Sequence, residues 1–148
     1  MSELAERIVT EAMSWVGTRY VPQGRIKHKA VDCVGFVAGV ATACELQVDI
    51  PSNYQPVEDG KLMMKLLKDH LDFVANEDIK RGDVLAMCDT ALRDTNKPTH
   101  LVFVESIVDR GNDSKTTFIV HASEHGVRRH RMNSWLWKQV HSAWRIRK

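Results

Sequence analysis

One cysteine of this chain stands where a thiol could act as a nucleophile. Cys33 lies in the stretch KAVDCVGFVAGVATAC, residues 29–44, directly after Asp32 and at the start of an apolar segment that predicts a helix. Unpaired N–H groups and the helix dipole at such a position lower the pKa of a thiol. We therefore expect Asp32 to cap a helix that begins at Cys33, and Cys33 to have a depressed pKa. Gly35 and Gly39 would let another element or a substrate approach this helix closely, and we expect that element to be the sheet that carries the base.

A cysteine nucleophile needs a base, usually a histidine, and a third polar group that orients the base. His100 is the first residue of the predicted strand HLVFVESIV, and His121 follows in the next predicted strand, TTFIVHAS. A hairpin between these strands would make the two histidines neighbours. From the residues alone, Cys33 as a small buried apolar side chain remains the alternative.

A structural zinc site is another possible use of the histidines. His121, His125 and His130 are close in sequence, but HASEHGVRRH predicts strand and turn and offers no acidic or cysteine ligand at a compact spacing. Cys44 and Cys88 are expected in the core, and the three cysteines form no C-x-x-C pair. The sequence therefore predicts neither a metal nor a cofactor.

The elements that must position these residues change in type along the chain. Apolar residues at helical spacing predict helices over 3–16, 33–46 and 58–74, with a loop over 17–32. From residue 80 the pattern predicts a short helix at 133–140 and strands at 81–88, 100–108, 116–123, 126–132 and 141–147. Helices first and strands later predict an α+β fold with N-terminal helices packed on an antiparallel sheet.

Length and composition limit the class of protein. The 148 residues suffice for one domain, residues 1–148, and hydrophobic and charged fractions of 43% and 27% are those of a globular protein. No stretch approaches the ~18 apolar residues of a membrane span. A net charge of +2 is too small to indicate nucleic acid. The basic, tryptophan-rich last fifth predicts a solvated basic face over an aromatic edge of the core, although it could also suit a cell-wall polymer or nucleic acid.

Five motifs of the chain resemble NlpC-type papain-like cysteine peptidases and occur in that family's order. They are G-T-x-Y and D-C-x-G in SWVGTRYVPQGRIKHKAVDCVGFVAGVA, the Gly-Asp strand entry of IKRGDVLAM, the histidine strand THLVFVESI and the H-A-S strand of FIVHASEHGV. The D-C-x-G form, the compact domain and the ending HSAWRIR look most like the phage and prophage tail-associated branch. The resemblance implies a papain-like NlpC-type fold with the catalytic cysteine at a helix N-terminus.

The resemblance also implies a cysteine hydrolase that acts on amide bonds of peptidoglycan stem peptides, of the γ-D-glutamyl-diaminopimelate type. Cys33 would be the nucleophile, His100 the general base and His121 the residue that orients His100. The same thioester chemistry suits an acyltransferase or transglutaminase-type enzyme, which passes the acyl group to an amine instead of water. A non-catalytic module that binds cell wall or assembles with a phage tail is the alternative outside enzymes.

Three further residues are implied to contact the substrate. Tyr20 matches a tyrosine whose hydroxyl lies over the active site, and Asp32 matches an aspartate that helps to bind the free amine of a stem peptide. Val34 stands where the family usually has serine, so the amine-binding subsite lacks that hydroxyl. The valine therefore argues against recognition of an N-terminal L-Ala-γ-D-Glu unit through this subsite.

The N-terminal residues predict where the protein is made. MSELAERIVTEAMSWVG has acidic residues from its start and no apolar run of the signal-peptide type. We therefore expect synthesis in the cytoplasm without a signal peptide. Action on the cell wall would then need a phage particle, cell lysis or a dedicated secretion route, with phage tail or secretion proteins as possible partners.

Overall fold

The computed structural model describes residues 2–48, 50, 60–88 and 98–147. Helices α1 (Glu3–Ser14), α2 (Cys33–Ala43) and α3 (Gly60–His70) pack against a six-stranded antiparallel sheet. Its strands are β3 (Leu71–Val74), β4 (Val84–Met87), β5 (His100–Gly111), β6 (Ser114–Ser123), β7 (Gly126–Arg131) and β8 (Val140–Ile146), in the spatial order β3-β8-β4-β5-β6-β7. The predicted α+β fold, with helices packed on an antiparallel sheet, is confirmed.

The remaining elements are short. A two-stranded hairpin, β1 (Arg25–Ile26) and β2 (Ala30–Val31), precedes α2, a 3₁₀ turn spans Asn76–Asp78, and helix α4 (Ser134–Gln139) leads into β8. The sequence predicted a loop where β1 and β2 lie, because two-residue strands leave no periodic pattern. Among the described residues, no helix combines the length and the apolar character needed to cross a membrane.

Helix α2 forms the centre of the helical layer. Nearly all of its side chains are buried, as expected of a helix that is apolar on every face. The Asp32 carboxylate accepts a hydrogen bond from the Gly35 backbone N–H at 2.7 Å, so the predicted cap and the predicted start at Cys33 are both correct. The helix ends at Ala43, three residues short of the prediction.

The glycines of α2 do allow a close approach, but the sheet is not what approaches them. A Cβ on Gly39 would lie 2.5 Å from the Trp15 ring at the end of α1, and a Cβ on Gly35 would collide with the Gly24 carbonyl oxygen beside β1. The expectation that these glycines bring the helix against the sheet is therefore wrong. They instead admit α1 and the hairpin that precedes α2.

Strand β3 replaces the end of a predicted helix. The sequence predicted a helix through residue 74, of which residues 58 and 59 lie outside the described part of the chain, but α3 ends at His70 and Leu71–Val74 is a strand. This strand pairs with β8 from Leu71↔Ile146 to Val74↔Ala143. Helical spacing through Leu62, Leu66 and His70 hid the change, because only pairing with the distant C-terminal strand selects the extended conformation.

Strands β5 and β6 form the hairpin that the sequence predicted. Asn112 and Asp113 connect them with φ angles of 54° and 60°, which is the conformation of a tight type I′ turn. The pairs of the two strands run from Gly111↔Ser114 to Phe103↔Val120. Residues 100–102 of β5 therefore lie beyond the last pair with β6, at the end of the sheet closest to the N-terminus of α2.

Three arginines in the basic C-terminal part of the chain form ion pairs with carboxylates. Arg129 pairs with Glu105 at 2.7 Å, Arg145 with Asp83 at 2.8 Å and Arg147 with Asp72 at 2.7 Å. The tryptophans divide between core and surface. Trp144 is buried, while Trp135 and Trp137 on α4 are 58% and 39% exposed.

The contact between Gly39 and Trp15 predicts the effect of one substitution. Gly to Ala in an ordinary helix interior stabilises by up to about 1 kcal/mol. Gly39→Ala should have the opposite sign and destabilise by about 1–3 kcal/mol, because the added methyl group overpacks the junction with Trp15. Urea unfolding should show a smaller penalty when Trp15→Phe is also present. Equal penalties in the two backgrounds would contradict this packing.

Candidate active site

The Cys33 side chain lies at the open end of the β5–β6 pair. It is 3% exposed, and backbone N–H groups of Leu101, Val34 and Cys33 itself face its sulfur. The Val104 N–H bonds the Asp83 carbonyl oxygen at 2.8 Å on the β4 side. Because donor directions alternate along a strand, the Leu101 N–H points to the β6 side, where the pairing has ended. Because β5 and β6 no longer pair here, the N–H of Leu101, the residue after His100, is directed to the Cys33 sulfur and not to β6.

The two predicted histidines are in direct contact. His100 Nε2 and His121 Nδ1 are 2.7 Å apart, and their rings meet at 73° with centroids separated by 5.0 Å. They are not a register pair, because the ladder ends at Phe103↔Val120. The hairpin brings them together diagonally across the opened end of the sheet. The structure therefore places Cys33, His100 and His121 around the start of β5.

Burial controls the charge of these three groups. It raises the pKa of Cys33 from 9.0 to about 12, a rise that the Leu101 N–H opposes and the Asp32 charge increases. Burial also lowers the pKa of His100 to about 4. The pKa of His121 falls to about 3, through burial and then through the neighbouring imidazoles of His100 and His130. At neutral pH the site consists of a thiol and uncharged imidazoles.

The prediction of a depressed thiol pKa is therefore wrong. The helix N-terminus does supply N–H groups that favour a thiolate, as the sequence suggested. Loss of water around Cys33 outweighs them, because a buried sulfur cannot be solvated when it is charged. The helix position is visible in the sequence, whereas the depth of burial depends on elements more than sixty residues away.

The three predicted substrate-binding residues lie around Cys33. Tyr20 forms a β-bridge with Val31, two residues before Cys33, and burial, followed by the charges of Cys33 and Asp32, raises the pKa of its hydroxyl. The Asp32 carboxylate is fully buried and also accepts the Gln23 N–H at 2.6 Å, so it joins the β1 loop to α2. Val34 is 2% exposed within the core. The roles of these three residues toward a substrate stay predictions.

The zinc alternative has no ligand set in the part of the chain that the structure describes. There, no three His, Cys, Asp or Glu side chains are arranged to hold a metal ion. His130 does approach His121, with ring centroids 5.1 Å apart, but His125 lies in solvent beside Glu124. The proximity of His130 was not predicted as part of a catalytic site. Strand alternation in β7 could have revealed it once β6 was known to be its partner.

Comparisons of the whole chain show what this architecture is similar to. An NLP/P60 family protein from Staphylococcus aureus, described as similar to lipoprotein, superimposes with a TM-score of 0.66 at 19% identity over 100% of this chain and 43% of its own. NlpC2 from Trichomonas vaginalis gives 0.67 at 19% identity over 99% of this chain and 48% of its own. The NlpC/p60 domain of the peptidoglycan hydrolase SagA gives 0.60 at 19% identity over 96% and 98%.

The chain therefore has the fold of NlpC/P60 domains, as the sequence motifs implied. It spans less than half of the S. aureus and T. vaginalis proteins and nearly the full length of the SagA domain. No protein-family model and no curated protein sequence matches it. At 19% identity, the similarity is one of fold.

The buried histidines predict how stability depends on pH. The folded-state pKa values of His100 and His121 lie below the ordinary 6.5, so the unfolded chain binds more protons at acidic pH. The stability that they contribute is complete above about pH 6.5 and is lost as pH falls toward 4. Urea midpoints should decrease steadily across this window. His125→Gln, at an exposed histidine, should leave the slope unchanged, and a slope also unaffected by His121→Asn would contradict the assignment.

Proposed function

We propose that this chain is a cysteine amidase or endopeptidase that hydrolyses amide bonds in peptidoglycan stem peptides. The observation that carries the proposal is the 2.7 Å contact between His100 Nε2 and His121 Nδ1, with the Cys33 sulfur on the adjoining Leu101 amide. A nucleophile, a base and a group that orients the base are the minimum set for acyl transfer. The substrate class is supported by the fold shared with a peptidoglycan hydrolase domain.

The first chemical step follows from the charges of the site. His100 Nε2 is engaged with His121, so Nδ1 is the ring nitrogen that can accept the thiol proton. Because Cys33 is a neutral thiol at rest, that proton moves to His100 as the sulfur bonds to the carbonyl carbon of the substrate. The carbonyl oxygen becomes an oxyanion, for which the backbone N–H of Cys33 at the start of α2 is the donor.

The next steps return the enzyme to its resting state. The C–N bond breaks as His100 gives its proton to the leaving amine, and a thioester remains on Cys33. His100 then takes a proton from water, whose oxygen attacks the thioester carbonyl carbon. Collapse of this second adduct breaks the C–S bond, and the sulfur recovers its proton from His100. The products are a free amine and a carboxylic acid.

His121 supports this cycle without becoming charged. Its pKa of about 3 keeps it neutral at working pH, and its Nδ1 accepts the Nε2 proton of His100. This hydrogen bond fixes the ring of His100 and stabilises the imidazolium that forms briefly in each step. A histidine that did not accept this bond would leave His100 free to rotate.

The substrate is proposed to lie between Cys33 and the loop that carries Tyr20. Its scissile bond is of the γ-D-glutamyl-diaminopimelate type, with Tyr20 over the bond and Asp32 toward the free amine of the stem peptide. The fully buried Asp32 already bonds two backbone N–H groups, so its charge acts on an amine mainly through the field of the site. Val34 offers no hydroxyl to that amine, which favours stem peptides that do not depend on this contact.

Loss of the thiol tests the proposed function. Cys33→Ala should lower the release of new amino groups from purified peptidoglycan by about a thousandfold or more, because the covalent step is lost. Cys44→Ala is the matched control, since Cys44 is also a buried cysteine of this helix but lies at its other end. It should keep wild-type activity. Hydrolysis by Cys33→Ala at the wild-type rate would contradict the proposal.

A further inference from the structure

A small pocket lies directly behind the histidine pair. Its volume is about 250 Å³, below the range typical of sites for drug-sized ligands. Apolar walls come from Met87, Ile119 and Leu136, and polar groups come from His121, His130 and Gln139. Cys33 is not among the residues that line it.

The proton positions of the catalytic pair decide what His121 presents to this pocket. His100 must keep Nδ1 free to accept a proton, so its Nε2 carries the hydrogen and donates to His121 Nδ1. A neutral imidazole has one protonated nitrogen, and that of His121 must then be Nε2. His121 Nε2–H is therefore a hydrogen-bond donor.

This donor is buried and lacks an acceptor in the part of the chain that the structure describes. His121 Nε2 is shielded from solvent and makes no hydrogen bond to any described residue. His130 contacts the same ring edge-on, with centroids 5.1 Å apart, and it is not hydrogen-bonded to Nε2. Buried N–H groups in folded proteins almost always have a partner. The Nε2–H of His121 therefore needs a hydrogen-bond acceptor from outside the described residues.

The charges around the pocket indicate which acceptor fits. None of the described residues that line it is an aspartate or glutamate. Arg128 is the cross-strand partner of His121 in the β6–β7 register, so its side chain leaves the sheet on the same face. No carboxylate of the described residues forms a salt bridge with it. A negatively charged acceptor would therefore meet no like charge among the described lining residues, and Arg128 extends from the same face of the sheet.

We propose that this pocket binds a carboxylate that carries a short aliphatic group. One carboxylate oxygen accepts the Nε2–H of His121, Gln139 donates to the other oxygen, and the aliphatic group packs on Met87, Ile119 and Leu136. The bound anion extends the chain of hydrogen bonds from His100 through His121. In this respect the inference rests on the proposed function, since the anion would stabilise the imidazolium of His100 during acyl transfer.

Propionate is the probe for this site. Imidazole ¹⁵N resonances of the Cys33→Ala protein are titrated with sodium propionate, with sodium chloride at equal ionic strength and with the neutral isostere propionamide. Saturable binding of propionate should shift the His121 resonances and raise the pKa of His121 by about one unit or more, because an opposite charge favours its protonated form. Equal effects of propionate and chloride, or of propionate and propionamide, would overturn the proposal.

A variant that fills the pocket checks where the probe binds. Leu136→Trp, on α4, should weaken propionate binding at least tenfold without altering either catalytic histidine. Trp137→Leu is the matched control on the same helix, because Trp137 does not line the pocket, and it should bind propionate like the parent protein. Both variants are first shown to keep the parent circular dichroism spectrum. Undiminished binding to Leu136→Trp would place the anion elsewhere and contradict the proposal.

Kinetics of the active protein identify the source of the carboxylate. If the pocket receives a carboxylate of the substrate, propionate should raise KM and leave kcat unchanged. If it receives a separate small acid, propionate should alter kcat without competing, and either result supports an anion site coupled to catalysis. The binding titration uses the Cys33→Ala protein, so it tests the anion site alone. Hydrolysis of peptidoglycan by the wild-type protein tests the proposed function separately, and either result can be positive while the other is negative.

Discussion

The end of the β5–β6 pairing is the constraint on which the site depends. The two strands stop pairing at Phe103↔Val120, so the Leu101 amide, which a continuous ladder would have used, is left to favour the charged form of the Cys33 thiol. The helix that begins at Cys33 thereby packs against β5, the strand that begins at His100. The same split lets His121 approach His100 diagonally. Because the hairpin pairing stops there, α2, β5 and β6 can each contribute one of the three residues Cys33, His100 and His121.

Burial at this junction has a chemical consequence. A sulfur that sits between a helix and a sheet loses the water that would solvate a thiolate, and its pKa rises to about 12. The imidazoles lose water as well, so their pKa values fall and the pair stays uncharged. Proton transfer must then accompany attack on the substrate. The neutral thiol is a weaker nucleophile than a thiolate. The neutral imidazole, however, can accept a proton even in mild acid.

Much of this arrangement could be predicted from local patterns. The cap at Asp32, the helix start at Cys33 and the β5–β6 hairpin follow from residue types at short spacing, and the motifs implied the NlpC/P60 fold. Features that depend on distant partners were missed. Strand β3 needs β8, the close contacts of Gly39 are with α1, and the raised pKa of Cys33 needs the whole core around α2. Residue types at short spacing do not show which distant segments will pack together.

The ionisation of Cys33 tests the central claim most directly. In a Cys44→Ser, Cys88→Ser protein Cys33 is the only thiol, and the pH dependence of its thiolate absorbance and of its alkylation by iodoacetamide reports its pKa. The account predicts a neutral thiol at pH 7 that ionises only well above 9.0, with alkylation slower than that of a model thiol. A thiolate already formed at neutral pH would contradict it, because the site would then hold a charged pair in place of a buried neutral one.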